Sequence, residues 1–247
     1  MNVVVPMAGV GSRFRDAGYA IPKPLIPVGG KPMYAWATDS LPLSEASRLI
    51  FVLLSSQPEF PQLRADIENR YRQLSPVVLT VPKVTAGQAV TVLEAKEWIN
   101  DETPLLIHNA DTAFDAPSDW VSEALRAEAD GALLVFPSDE TRWSYSREDD
   151  RGRVVEVREK KVISPWASTG TYWFRRGSDF VTMIERRLSS AVKEDGEYYV
   201  GPLYNDLIAQ GGEVRNYPVR KLLCFGTPDD LIASCRELRC DPPLQTV

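Results

Sequence analysis

A chain of 247 residues is long enough to bury a full core and allows one or two domains. Its 25% charged and 44% hydrophobic residues exclude the disordered and fibrous classes, and its net charge of −6 excludes broad binding to nucleic acid or acidic membrane, which needs a dominant positive face. Three cysteines (Cys224, Cys235, Cys240) form neither a disulfide framework nor a zinc spacing, and the single histidine, His108, rules out Ser-His-Asp and multi-histidine metal chemistry.

The first predicted element is a buried strand, Asn2 to Pro6, leading into a glycine-rich loop, Met7-Ala8-Gly9-Val10-Gly11-Ser12-Arg13-Phe14. Between Gly11 and Pro32 four basic residues (Arg13, Arg15, Lys23, Lys31) meet one acid (Asp16), so a local phosphate site is set in an acidic chain. A helix is expected over Met33–Leu41, a buried strand over Arg48–Leu54, and helical spacing over Pro58–Arg72. Then follow a strand over Val77–Val81, a helix over Ala89–Ile99, a strand over Leu105–Asn109, a helix within Ser118–Glu128 and a strand over Ala132–Phe136. Strands alternating with helical stretches predict βαβ units and a parallel sheet, and ligands bind such sheets at the carboxyl ends of strands. The glycine loop and Asp111 both fall at such ends.

In the second half an acidic turn, Glu148 to Gly152, is flanked by candidate strands, the second an alternating one over Val154–Lys160. Thr169–Phe174 reads as a strand, and helices are expected over Phe180–Ala191, Pro202–Gln210 and Pro228–Arg239. No repeat or linker-like shift separates the halves, so one domain over 1–247 is expected, with a nucleotide-binding half (1–136) and an acceptor-binding half (137–247). No run approaches the roughly 18 apolar residues that span a bilayer, and no signal peptide is evident, so a cytoplasmic protein is expected.

Gly9-x-Gly11 fails as a dinucleotide fingerprint because Phe14 stands where a third glycine or alanine is needed. Gly29-Gly30-Lys31 fails as a P-loop because Pro32 follows it. What remains is Gly-x-Gly-Ser-Arg-Phe followed by Pro22-Lys23-Pro24-Leu25-Ile26-Pro27-Val28-Gly29-Gly30-Lys31-Pro32-Met33. Here the chain resembles the nucleotidyltransferases that make sugar nucleotides. The resemblance implies a three-layer α/β/α, Rossmann-like fold with a mixed, mainly parallel sheet. It also implies transfer of a nucleoside monophosphate from a triphosphate to a phosphorylated acceptor, with release of pyrophosphate.

By position, the resemblance places Ala8, Gly9, Gly11 and Ser12 at the nucleotide, Arg13 on the leaving phosphates and Lys23 at the reacting α-phosphate. The physical chemistry agrees: such transfer is positioning plus charge neutralisation, for which lysine supplies a mobile point charge and arginine paired contacts. Gly87, in Thr85-Ala86-Gly87-Gln88, matches a second glycine turn that touches the base; a plain turn glycine fits it as well. Asp111 matches the aspartate that binds Mg2+, a hard ion usually held by one or two carboxylates plus phosphates. His108 is expected to pack rather than to catalyse. Glu159 and Lys160 match a Glu-Lys signature for acceptor hydroxyls and phosphate. Thr169 and Gly170, with Tyr198, Tyr199, Tyr204 and Asn205, are candidates to line the acceptor pocket.

Phrases such as Trp143-Ser144-Tyr145 and Glu197-Tyr198-Tyr199-Val200-x-Pro202-x-Tyr204-Asn205 resemble a branch associated with capsule or surface glycans. One departure stands out: Cys224 occupies the place of a second metal-binding aspartate, and a protonated thiol is a poor ligand for magnesium. Either one carboxylate suffices, or another acid such as Asp229 or Glu197 substitutes. The departure leaves a non-sugar acceptor used with CTP open, and a non-catalytic nucleotide-binding relative as well. A glycosyltransferase would share the acid, metal and nucleotide but needs no Pro-Lys-Pro signature. The expected partners are a nucleoside triphosphate and a phosphorylated small-molecule acceptor, with neither nucleic acid nor membrane; a homo-oligomer stays open.

Overall fold

A computed structural model describes residues 1–243. The first half carries strands β1 (Asn2–Met7), β2 (Pro27–Val28), β3 (Lys31–Pro32), β4 (Arg48–Leu54), β5 (Val77–Val81), β6 (Leu105–His108), β7 (Thr112–Asp115) and β8 (Gly131–Pro137). Between them lie helices α1 (Ser12–Asp16), α2 (Met33–Asp39), α3 (Phe60–Arg70), α4 (Gln88–Leu93), α5 (Lys96–Ile99) and α6 (Trp120–Arg126). The second half adds β9 (Ser144–Glu148), β10 (Val154–Glu159), β11 (Trp166–Phe174), β12 (Val214–Pro218) and β13 (Lys221–Cys224). Its helices are α7 (Gly177–Ser189), α8 (Leu203–Ala209) and α9 (Pro228–Leu238).

A nine-stranded sheet draws strands from both halves. Its main path runs β5-β4-β1-β6-β11-β8-β12, and the β9-β10 hairpin joins at the start of β11. Strands β5, β4, β1 and β6 are mutually parallel; β11 runs antiparallel to both β6 and β8, and β12 is parallel to β8. Alternate residues of β1 serve opposite faces. Val4 packs into one cluster with Val92 of α4, Phe180 and Ile184 of α7, and Tyr204 of α8. Val3 and Val5 pack into the other with Tyr34 of α2, Ile67 of α3 and Trp120 of α6. Both faces are covered, which is why these strands read as unbroken apolar runs. The architecture is therefore the expected three-layer α/β/α with a mixed, mainly parallel sheet. Among the described residues, no helix is long and apolar enough to cross a membrane.

Three differences from the sequence expectations bear on the site. The helix expected over 89–99 divides into α4 and α5, because i→i−3 bonds from Glu94 and Ala95 tighten the chain between them. The strand expected to run to Lys160 stops at Glu159, since Lys160 takes a left-handed φ of 54°. Strands β7 and β13 are too short to show a periodicity, yet they pair antiparallel, with Thr112 opposite Cys224, and bring Lys221–Cys224 to the first half of the chain.

Candidate active site

The carboxyl ends of β1 and β6 open onto a cleft of about 670 Å3. One wall is the loop after β1. Gly11 takes φ 60° as the residue before α1, and a Cβ there would lie 3.0 Å from Lys23 Cβ, so glycine allows both the turn and the close approach of the lysine. Phe14 and Ile26 are buried with Met33, Phe225 and Leu231 beneath the loop and anchor it. Arg13 and Lys23 are thereby left on the cleft wall. Lys23 starts a 3-10 turn between two prolines, closed by the Leu25 N–H donating to the Pro22 carbonyl at 2.8 Å.

Asp111 lies just beyond β6. The Lys23 ammonium donates to its Oδ2 at 2.5 Å and to the Gly226 carbonyl at 3.3 Å. Burial pushes the Asp111 carboxyl up, but Lys23 more than reverses this and leaves it below the usual carboxylate range. The Asp111 backbone is held as well: its carbonyl accepts from the Phe225 N–H at 2.8 Å. His108 is fully buried, with Nε2 2.7 Å from the Thr112 carbonyl and Nδ1 2.8 Å from the Thr171 hydroxyl. A carbonyl only accepts, so Nε2 carries the proton and Nδ1 accepts from Thr171. Burial pushes the imidazole down to about 4, against smaller opposing effects from Thr112 and Asp111. It is a neutral packing group that ties β6 to β11 and to the Asp111 turn.

The opposite wall carries Trp143, Ser144, Glu159, Lys160, Tyr172 and Tyr199. The Ser144 hydroxyl donates to the Glu159 carboxylate. Burial raises the pKa of Glu159, with Ser144 and Lys160 opposing. The Lys160 ammonium donates to Asp195 at 2.5 Å and to the Tyr199 hydroxyl at 3.0 Å, contacts that raise its pKa. Gly170 reaches the cleft where a bulge shifts the β11 register, its carbonyl accepting from the Asn109 N–H at 3.1 Å.

Of the residues expected at the site, Gly9, Gly11, Arg13, Lys23, Asp111, Glu159, Lys160 and Gly170 therefore converge on one cleft. Ala8, Ser12, Gly87, Thr169, Tyr198 and Asn205 do not line it. Ala8 is buried in the core and Ser12 is exposed at the start of α1. Gly87, with φ 138°, faces the Tyr198 backbone: a Cβ would come within 2.6 Å of Tyr198 N and O. That contact gives the glycine a packing reason of its own, and the Ala89 N–H adds a bond to the Tyr198 carbonyl at 2.9 Å. Tyr198 is buried, and the Thr169 hydroxyl is buried against the Leu134 carbonyl at 3.1 Å. Asn205 clasps β10, its Oδ1 accepting from the Val157 N–H and its Nδ2 donating to the Val157 carbonyl. Tyr204 is likewise core, with its hydroxyl 2.9 Å from the carbonyls of Ala132 and Trp173.

Sequence reasoning missed Gln88, Asn109 and Arg142, all in the cleft. Gln88 donates to Asn109 Oδ1, and Arg142 pairs with Asp230 at 2.6 Å while its guanidinium lies 4.4 Å from the Trp143 ring. Gln88 was legible as the neighbour of the Gly87 turn. Nothing in the local pattern marks Arg142, whose partner is 88 residues away.

For a divalent cation, the Asp111 oxygens are the right donors, and the Lys23 ammonium between Asp111 and the Gly226 carbonyl already stands where a cation is stabilised. Cys224 adds no hard ligand: burial, with Asp111 and Asp230, pushes its thiol up to about 12. Asp229 and Glu197 are exposed and outside the cleft. Asp230 is nearer, but it is bound by Arg142 and closes the capping box of α9 with Thr227. Among the described residues no cluster of three His, Cys, Asp or Glu side chains assembles a metal site unaided. The residues fit an ion held by one carboxylate and completed by phosphate oxygens and water.

A doubly covered sheet with a basic glycine loop and an aspartate at adjacent strand ends defines a nucleotide-binding α/β protein. The chain belongs to the nucleotidyl transferase family, whose description it matches over residues 3–218. It is 28% identical to UTP–glucose-1-phosphate uridylyltransferase AglF of Haloferax volcanii over 70% of this chain and 72% of that protein. It is also 28% identical to the bifunctional protein GlmU of Cupriavidus metallidurans over 66% of this chain, and the match spans 34% of that longer protein. The crystal structure of a nucleoside-diphosphate-sugar pyrophosphorylase from Vibrio cholerae superposes with a TM-score of 0.81 at 26% identity, covering 95% of this chain and 99% of that one.

Proposed function

We propose that the chain is a nucleotidyltransferase that joins the nucleoside monophosphate of a triphosphate to the phosphate of a small acceptor, a sugar 1-phosphate or a similar molecule, and releases pyrophosphate. The observation that carries the reading is the Lys23–Asp111 pair, 2.5 Å apart, on the same cleft as Arg13 and opposite Lys160. An acceptor phosphate oxygen, already anionic at neutral pH, attacks the α-phosphorus in line; the bond to the β-phosphate oxygen breaks and its electron pair leaves with pyrophosphate. No base is needed for this attack, which accords with a His108 that is buried and neutral.

Lys23 neutralises charge at the α-phosphate, Arg13 holds the leaving phosphates, and Gly9 and Gly11 let the backbone approach the nucleotide. Lys160 and Tyr199 bind the acceptor phosphate once it displaces Asp195, and Glu159, held by Ser144, accepts an acceptor hydroxyl. A Mg2+ ion, when bound, supplies further neutralisation of the phosphate oxygens; Asp111 is the residue to hold it. The phrases around Trp143 and Tyr198–Asn205 support a role in making precursors of surface polysaccharide, in the cytoplasm. The test is a matrix of the common nucleoside triphosphates against sugar 1-phosphates and non-sugar phosphomonoesters, read by pyrophosphate release. Release with no pair would sink the reading, and release with CTP and a non-sugar acceptor alone would move the substrate class.

A further inference from the structure

Asp111, the carboxylate placed to hold a divalent ion at the β6 end of the cleft, is already paired with a side-chain cation. Lys23 Nζ lies 2.5 Å from Asp111 Oδ2 and is held on its other side by the Gly226 carbonyl. Only 20% of the Lys23 side chain and 29% of the Asp111 side chain is exposed, so solvent and salt screen the pair weakly. Lys23 is also confined: prolines flank it, Gly11 lies too close to its Cβ to carry a side chain without crowding it, and its ammonium sits 5.5 Å from the Phe14 ring centre. Of the other acids at or beside the cleft among the described residues, Asp230 is taken by Arg142 and Thr227, and Glu159 by Ser144. A free divalent ion approaching Asp111 thus meets a positive charge within hydrogen-bond distance of the oxygen it needs. A polyphosphate changes this balance, because its oxygens offer the ammonium a stronger partner than a single carboxylate.

We propose that Lys23 is an internal guard: it keeps a lone divalent cation off Asp111 and yields the carboxylate only when a triphosphate draws its ammonium away, so that cation and triphosphate enter as one complex. This deepens the nucleotidyl-transfer reading and rests on it for the identity of the polyphosphate, but its test needs no turnover.

The probe is Mn2+, with free ion read by electron paramagnetic resonance on the full chain, with and without an α,β-methylene triphosphate that cannot be cleaved. In the unmodified protein the triphosphate should tighten Mn2+ binding about tenfold or more, the size of an ordinary coupling. Lys23→Met should bind Mn2+ alone about tenfold or more tighter than the unmodified protein, because the competing charge is gone. Lys23→Gln serves if the methionine variant does not fold. Adding Asp111→Asn should erase the gain. The proposal is overturned if the unmodified protein binds Mn2+ equally well without the triphosphate. It is overturned too if removal of the lysine charge leaves Mn2+ affinity unchanged, or if the gain survives Asp111→Asn. Absence of pyrophosphate release with every acceptor would instead remove the transfer reading and leave these binding results standing.

Discussion

Acidification should weaken the floor of the cleft through one residue. His108 is fully buried, bonded to Thr112 and Thr171, and its pKa falls from the ordinary 6.5 to about 4. A histidine kept neutral in the fold stabilises it fully above its unfolded pKa, and this contribution drains away as the pH falls toward the folded value. For a drop from 6.5 to about 4 the contribution is about 3 kcal/mol, and it should be lost between pH 7 and pH 4. Because the chain has a single histidine, its imidazole carbon and nitrogen signals are unambiguous in a magnetic resonance titration. Urea unfolding at stepped pH reports the matching loss of stability, to be compared with His108→Gln, which has no group titrating there. An imidazole that titrates near 6.5 in the folded protein would refute the buried, neutral assignment and reopen a catalytic role.

Asp111→Asn should lower turnover about a hundredfold or more by removing the charged oxygen that faces the phosphates, measured as pyrophosphate release across a magnesium series; an unchanged magnesium response would move the cation elsewhere. Cys224→Asp places a hard ligand beside Asp111 and should lower the magnesium concentration for half-maximal turnover several-fold, roughly the effect of one added carboxylate, whereas an unaltered magnesium curve would show that position 224 does not reach the ion. Gly87→Ala sets a Cβ 2.6 Å from the Tyr198 backbone at φ 138°, so a loss of more than about 2 kcal/mol in urea unfolding is expected; full stability would mean that the turn relaxes freely.

The sequence carried the framework because its signals are local. The strand expected over Arg48–Leu54 matches β4 residue for residue, since Leu49–Leu54 is buried on both faces and so reads as an unbroken apolar run, and the β-branched run Val77–Val81 matches the half-buried edge strand β5. Thr227, with Asp230 three residues on, caps α9 as a nearest-neighbour device. The resemblance carried by the glycine loop, the Pro-Lys-Pro segment and the Glu-Lys pair put Arg13, Lys23, Asp111, Glu159 and Lys160 among the site candidates, and all five line the cleft. The aromatic and amide candidates of the second half were harder to place. Tyr198, Tyr204 and Asn205 have side chains suited equally to a ligand or to the core, and only the fold shows where each one goes: Tyr198 is buried beside the Gly87 turn, Tyr204 reaches the carbonyls of Ala132 in β8 and Trp173 in β11, and Asn205 holds Val157 of β10.

The alternation of strands and helices by itself determined the parallel part of the sheet, and the glycine loop with the Pro-Lys-Pro segment marked the basic stretch that lines the cleft. They act through bonds and charges within a few residues of one another. Tertiary structure alone decided what neutralises Lys23 before a ligand arrives, because Asp111 lies 88 residues further along and Gly226 lies 203 residues further along. It also supplies the means by which Cys224, which the resemblance set at the metal site, comes beside Asp111: the short β7–β13 pairing that no periodicity announces. The physical reason is range: a strand or a cap is fixed by neighbours in the chain, whereas a charge is fixed by whichever distant group the folded sheet brings within a few ångströms.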